Sequence, residues 1–197
     1  MSLTKYASGG TVSWNRTFDV NTVGDTYVGS ITLDPSGNVL VAGSTYNGTT
    51  NNYDLYVVKY NSSGTKLWHQ LYNGAGNSYD FAAAVKCTSN GDVFVTGGAF
   101  LTLVNLNAVT IRYNSSGTAQ WTQTWDNVSL SDAGGTLAFA GSETRVIVTG
   151  FTQTNASTWE YMALTYAVSS GTLAASTVTT LGGTSIDRIS DAVTDAS

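Results

Sequence analysis

Tyr60-Asn61-Ser62-Ser63-Gly64-Thr65, with Trp68 four residues after its glycine, is the stretch that decides how this chain is read. It returns as Tyr113-Asn114-Ser115-Ser116-Gly117-Thr118 with Trp121. A looser copy, Tyr6-Ala7-Ser8-Gly9-Gly10-Thr11 with Trp14, stands near the start, and a fourth runs from Tyr166 through Ser170-Gly171-Thr172. The four tyrosines are 54, 53 and 53 residues apart. A fixed period of that length marks a repeat architecture, in which one unit recurs because it cannot cover its apolar surface alone.

Working outward from the turn gives the unit. The period from Asp80 to Trp125 opens on the small and apolar run Phe81–Cys87 and turns at Ser89-Asn90-Gly91-Asp92. It continues through Val93–Gly97 and Ala108–Tyr113, and closes with Thr118–Trp125 after the Asn-Ser-Ser-Gly turn. Four short runs bounded by turn residues predict a four-stranded antiparallel meander. Val39–Gly43 and Val146–Gly150 repeat the second run, and Leu55–Tyr60 and Tyr161–Tyr166 repeat the third. These runs do not alternate apolar with polar, so both faces of each sheet need cover. The first runs are mostly small, as in Ala82-Ala83-Ala84 and Gly134-Gly135-Thr136, which suits strands crowded near an axis. The expected fold is all-β, built of β-propeller blades. A parallel β-helix has shorter coils, a two-sheet sandwich needs no such period, and the paired glycines of kelch repeats are not evident.

The expected division is a partial blade at 1–18, blades at 25–72, 80–126 and 132–178, and a partial blade at 187–197. Closed propellers have roughly 4–8 blades, so the reading expects an incomplete propeller or arc and a fragment of a longer protein. Open blade faces and strand edges favour self-association.

Composition narrows the function classes. Charged residues make up 11% of the 197, against roughly 25% in an average domain, and the net charge is −5. No basic run is present to displace counterions from a nucleic acid, and an anionic membrane surface is disfavoured for the same reason. No apolar run approaches the roughly 20 residues of a spanning helix, so membrane insertion is not expected. The single cysteine, Cys87, cannot form an internal disulfide and reads as a buried, inert thiol.

The repeat resembles the bacterial β-propeller family often called SBBP. The residues that carry the resemblance are Asp25, the turn Asp34-Pro35-Ser36-Gly37-Asn38, Val39 to Gly43, Asp54 to Lys59-Tyr60, Ser63-Gly64 and Trp68. The second copy keeps nearly all of this. The third has Ser142-Glu143-Thr144-Arg145 where the Gly-Asn turn belongs, and the fourth carries Ala175 where tryptophan is expected. The resemblance implies an exported or surface-attached bacterial protein, hence an extracellular or cell-surface setting. It implies no reaction and transfers no catalytic residue.

His69 is the single histidine, which excludes a histidine-rich metal site, and no Gly-x-Ser-x-Gly elbow accompanies it. Asp25, Asp80, Asp132 and Asp187 open successive first strands. They read as turn caps, with a ring able to hold Ca²⁺ as the sharper alternative. Lys5, Lys59 and Arg112 share one repeat position and read as stems on apolar surface with heads paired or in water. Trp14, Trp68 and Trp121 read as wedges between blades. The loop aromatics break the period: Tyr46, Tyr53, Tyr72, Tyr79, Trp125 and Trp159, beside Asn51, Asn77 and Asp126. From them, with Asp80, come the residues of the candidate ligand set: Tyr46, Asn51, Tyr79, Asp80, Trp125, Asp126 and Trp159. The expected function is a non-catalytic binding or scaffold module that takes carbohydrate or protein on its loop face. A lyase or glycosidase, which would need an asymmetric carboxylate pair, and a purely structural spacer are the alternatives.

Overall fold

The computed structural model describes residues 1–18, 24–127 and 130–180; the partial blade expected at 187–197 lies outside them. A two-stranded hairpin comes first, β1 (Ser2–Tyr6) and β2 (Val12–Thr17). Three four-stranded antiparallel sheets follow, each in chain order. The first holds β3 (Thr26–Leu33), β4 (Val39–Asn47), β5 (Asn52–Tyr60) and β6 (Lys66–Tyr72). The second holds β7 (Phe81–Cys87), β8 (Val93–Phe100), β9 (Leu106–Tyr113) and β10 (Ala119–Trp125). The third holds β11 (Asp132–Ala140), β12 (Arg145–Asn155), β13 (Thr158–Ala167) and β14 (Leu173–Thr180). No helix occurs among the described residues. The fold is all-β, an arc of propeller-type blades.

Successive residues along the middle strands serve different neighbours. Val39, Val41, Tyr56 and Val58 pack with Trp14 and Phe18 of the hairpin. Leu40, Ala42, Leu55 and Val57 point the other way, into a core with Val93, Val95, Val109 and Ile111 of the second sheet. Phe94 and Ala108 then leave that sheet on its far side for Val146, Val148, Met162 and Leu164 of the third. This is why the valine-rich runs do not alternate with polar residues.

A register break recurs in each first strand, between Val28 and Ser30, between Ala82 and Ala84, and between Gly134 and Thr136. Opposite it lie Gly43, Gly97 and Gly150, where any Cβ would run into the carbonyl of Tyr27, Phe81 or Ala133. The bulge thus dictates the glycine that closes each Val-rich run. The second strands continue past that glycine, to Asn47, Phe100 and Asn155, because the ladder resumes beyond the bulge.

The turn that sets the period is also the joint between blades. Trp14, Trp68 and Trp121 each donate their indole N–H to a carbonyl in the next turn, Ser62, Ser115 and Val168, at 3.0, 3.1 and 3.0 Å. The residue paired across the strand from each tryptophan, Lys5, Lys59 or Arg112, donates to the same carbonyl at 3.0, 3.3 and 2.9 Å. The indole lies against the turn glycine, so a Cβ on Gly64, Gly117 or Gly171 would come within 2.7–2.8 Å of it. Tyr113 and Tyr166 lie tilted against Trp68 and Trp121, each at 6.2 Å between centroids. The tryptophans are therefore wedges between blades, as their spacing predicts. Lys59 and Arg112 also meet Asp34 at 2.8 Å and Asp92 at 2.6 Å, so the cation position builds the joints. In the third sheet Glu143, part of the departing turn, reaches across to the Ser89 N–H at 2.9 Å.

Leu55, Ala108 and Tyr161 occupy one repeat position, at 0%, 2% and 51% exposure, because the third sheet's far side has no described neighbour. Leu55→Ala is expected to lower stability by about 2–5 kcal/mol, the range for a buried leucine. Tyr161→Ala is expected to change it by less than about 0.5 kcal/mol. Urea midpoints of the two variants check the contrast.

Candidate functional site

The loop end of the first and second sheets carries an array of rings. Two short loops build it. Between β4 and β5, Asn47 turns the chain by accepting the Thr49 N–H at 3.0 Å, and Asn51 takes a left-handed φ of 59° that asparagine tolerates. Between β6 and β7, Asp80 holds the loop shut by accepting the Gly74 N–H at 2.5 Å and the Phe100 N–H at 2.9 Å. Asn52 and Asn73 then both donate to the Asn77 amide oxygen, at 3.2 and 2.8 Å, and tie the two loops together.

Tyr53 sits at the centre of the rings these loops present. Its centroid lies 5.8 Å from Tyr27, 5.5 Å from Tyr46 and 5.5 Å from Tyr79, and Tyr79 continues to Phe81 at 5.8 Å. These are ordinary tilted and edge-to-face separations for packed aromatic pairs. Tyr27 and Tyr79 are exposed, while Tyr46 and Tyr53 are half-buried beneath the same surface. The hydroxyls are held too: Tyr46 donates to Asn51 at 2.5 Å, Tyr79 meets Ser44 at 3.2 Å, and Tyr27 donates to Asp25 at 3.3 Å. Asp25 is the chief cause that raises the Tyr27 hydroxyl above its ordinary pKa. Rings with fixed planes, beside asparagine amides, offer stacking and hydrogen bonding to one uncharged ligand.

The carboxylates beneath the rings are not at the surface. Asp54 and Asp80 are both buried, and Asp54 accepts from Asn47 at 2.6 Å. Burial pushes both carboxyls up, Asp80 to about 6, and Asp54 adds to the effect on Asp80. Asp80 is thus a turn cap that shapes the site rather than a contact on its face.

The structure brings Tyr46, Asn51 and Tyr79 of the sequence-predicted set together, with Asp80 below them. Trp125 and Asp126 stand at the next junction, where Trp125 is half-buried against the core of the second and third sheets and Asp126 accepts from Asn105 at 3.0 Å. Asn105, Asn107, Asp132 and Thr152 of that junction each keep one buried oxygen without a hydrogen-bond partner. Trp159 belongs to the third sheet alone, edge-on to Phe151 at 5.3 Å. Sequence reasoning missed Tyr27 and Phe81, which lie on first strands read as axial and small. The signal was present, since both lie within the first two residues of a first strand and stand at the same place in their sheets, opposite Ser44 and Gly98.

One repeat assignment needs correction. Asp80 and Asp132 are equivalent, but the first sheet has Thr26 at that position and not Asp25: Thr26 pairs with Thr45 as Asp132 pairs with Thr152. Asp25 is exposed, one residue earlier, and the spacing of 55 residues to Asp80 carried the misalignment. A ring of aspartates at one repeat position therefore does not form in the described sheets. Among the described residues no three Asp, Glu, His or Cys side chains converge as a metal-binding group. His69 is on β6 with its ring 5.6 Å from Phe18, its pKa lowered by burial and then by Lys66. Burial raises the Cys87 thiol to about 12, which leaves it protonated and unreactive.

No protein-family model and no curated protein matches this chain. Among solved structures it is similar to the acylaminoacyl peptidase of Pyrococcus horikoshii, at 9% identity and a TM-score of 0.47. The likeness covers 80% of this chain and 26% of that one.

The buried carboxyl of Asp80 has a stability consequence. Its folded pKa of about 6 lies above the roughly 3.9 of an unfolded aspartate, so the folded state holds the extra proton between those values. Stability from this group is greatest below about pH 4 and is lost as pH rises through about 6. The melting temperature is expected to be higher at pH 5 than at pH 7, with the difference reduced in Asp80→Asn. Thermal melts across that range check it, and an unchanged difference in the variant would assign the slope elsewhere.

Proposed function

We propose that this chain is a non-catalytic binding module whose tyrosine array, centred on Tyr53, takes a neutral saccharide. The observation that carries the reading is the continuous set of rings from Tyr27 through Tyr53 and Tyr79 to Phe81, each neighbour within 5.8 Å of the next. Asn51, Asn52 and Asn77 border these rings, and their amides match the alternating donors and acceptors of sugar hydroxyls. The apolar face of a pyranose stacks on such a surface without needing charge. The burial of Asp54 and Asp80 supports the non-catalytic reading, because a glycosidase needs two carboxyls that reach the scissile bond. The resemblance to the SBBP repeats adds an exported, cell-surface setting to the same reading.

A glycan array identifies the ligand class, and calorimetry with the best-binding glycan tests the site. Tyr79→Ala and Tyr27→Ala are each expected to weaken binding about tenfold, the equivalent of roughly 1.4 kcal/mol, with little loss of stability because both rings are exposed. Unchanged affinity in both variants would move the site elsewhere. A polysaccharide cleaved by the wild-type chain would replace binding with catalysis.

A further inference from the structure

The hairpin at the start of the chain carries the receiving half of the same joint that links the described sheets, and nothing described fills it. In each internal joint the receiving turn offers a tyrosine, a carbonyl two residues on, and a glycine of positive φ two residues after that, or three in the third sheet. The hairpin turn has all three: Tyr6, Ser8 and Gly10. Its hydrogen bonds are those of the filled turns at 60–65 and 113–118, since Ala7 N–H reaches Thr11 at 2.8 Å and Gly10 N–H reaches Ala7 at 2.9 Å. The corresponding pairs in the second copy, Asn61 to Thr65 and Gly64 to Asn61, are both 2.9 Å. Gly10 has φ 82°, against 81°, 87° and 71° at Gly64, Gly117 and Gly171. The turn is therefore formed before anything docks on it.

What differs is cover. Tyr60, Tyr113 and Tyr166 are 2%, 3% and 2% exposed, whereas Tyr6 is 62% exposed. A Cβ on Gly64, Gly117 or Gly171 would strike an indole, whereas one on Gly10 meets nothing within 4 Å. The third sheet cannot supply the missing wedge. Its cross-strand pair at the donor position is Thr165 and Ala175, where the other joints have Lys5 with Trp14, Lys59 with Trp68 and Arg112 with Trp121. A second copy of the chain is no better provided, since its three wedge tryptophans already bond Ser62, Ser115 and Val168.

We infer that the turn Tyr6–Thr11 is a docking socket for a further sheet of this repeat type, one whose outer strands pair a lysine or arginine with a tryptophan. The indole stacks on Tyr6 and Gly10, and its N–H joins the cation in donating to the Ser8 carbonyl. The inference is independent of the saccharide reading, because the socket is at the opposite end of the strands from the tyrosine array.

The test extends the full chain by repeating residues 25–107 ahead of Met1, which keeps the period and places a copy of Trp68 before the socket. Amide exchange at Gly10 and Thr11 is expected to slow at least tenfold in the extended chain. Trp68→Ala in the added copy alone should restore the original rate. Tyr6→Ala should leave the melting temperature of the unextended chain unchanged and remove the gain in the extended one. A second measurement does not depend on the extension folding: N-acetyl-tryptophanamide added to the wild-type chain should shift the amide resonances of Ser8 to Thr11, and those of Ser62 to Thr65 much less. No shift there, or protection that survives Trp68→Ala, would overturn the inference. So would a wild-type dimer with residues 6–11 protected, since that would make a second copy the occupant.

Discussion

Each middle strand of the first two four-stranded sheets has two dry faces, and a single sheet cannot bury both. Leu40 and Val41 are neighbours in sequence, yet one belongs to the core shared with the second sheet and the other to the core shared with the hairpin. A fully buried aliphatic side chain is worth about 1.5–3 kcal/mol, so leaving either face wet would forfeit the stability of a small domain within a few residues. Stacking like units is the solution that costs no new design, because a face that fits one copy fits the next. The same constraint explains the exposed residues at the ends: Ile31 and Tyr161 are apolar at places where their counterparts, Val85 and Leu55, are covered.

Apolar contact alone would let the sheets slide. The joint at each turn removes that freedom by directing two donors, an indole N–H and a cation, at one carbonyl of the next sheet. A carbonyl has two lone pairs, so both donors are satisfied and neither competes. The tyrosine and glycine around it set the depth to which the indole enters. Every element of the repeated motif Tyr-Asn-Ser-Ser-Gly-Thr and its tryptophan thereby has a mechanical role, and the cation position is spent on the same joint. Lys59 lies between Asp34 and Ser115 with its charge paired in a buried setting, where an unpaired ammonium would be costly.

The ligand site proposed here is where the repeat is broken. Tyr46, Tyr53 and Tyr79 have no aromatic counterparts that form a similar array at the junction of the second and third sheets, where Trp125 turns into the core instead. Strands that must stack are held to their period by packing, whereas loops at their ends are free to vary. Asp80 shows the two demands meeting: its position belongs to the repeat, and its two accepted N–H groups shape the loop that carries Tyr79.

Much of this was legible in the residues alone. The period, the four strands of each unit, the two-sided burial of the valine-rich runs and the wedge role of the tryptophans all follow from local pattern, because strand geometry and turn chemistry act over a few residues. The repeat register of Asp25 was misread because an aspartate one residue ahead of the repeat position looks like one at it until cross-strand partners are known. Tyr27 and Phe81 went unrecognised as site residues for a related reason: which strand end faces which loop is settled by how sheets stack, not by any one strand. That Trp125 is half-buried against the core while Tyr79 is exposed was likewise a tertiary decision, since both are aromatic and near strand ends, and only the neighbouring sheet determines which ring loses more of its water.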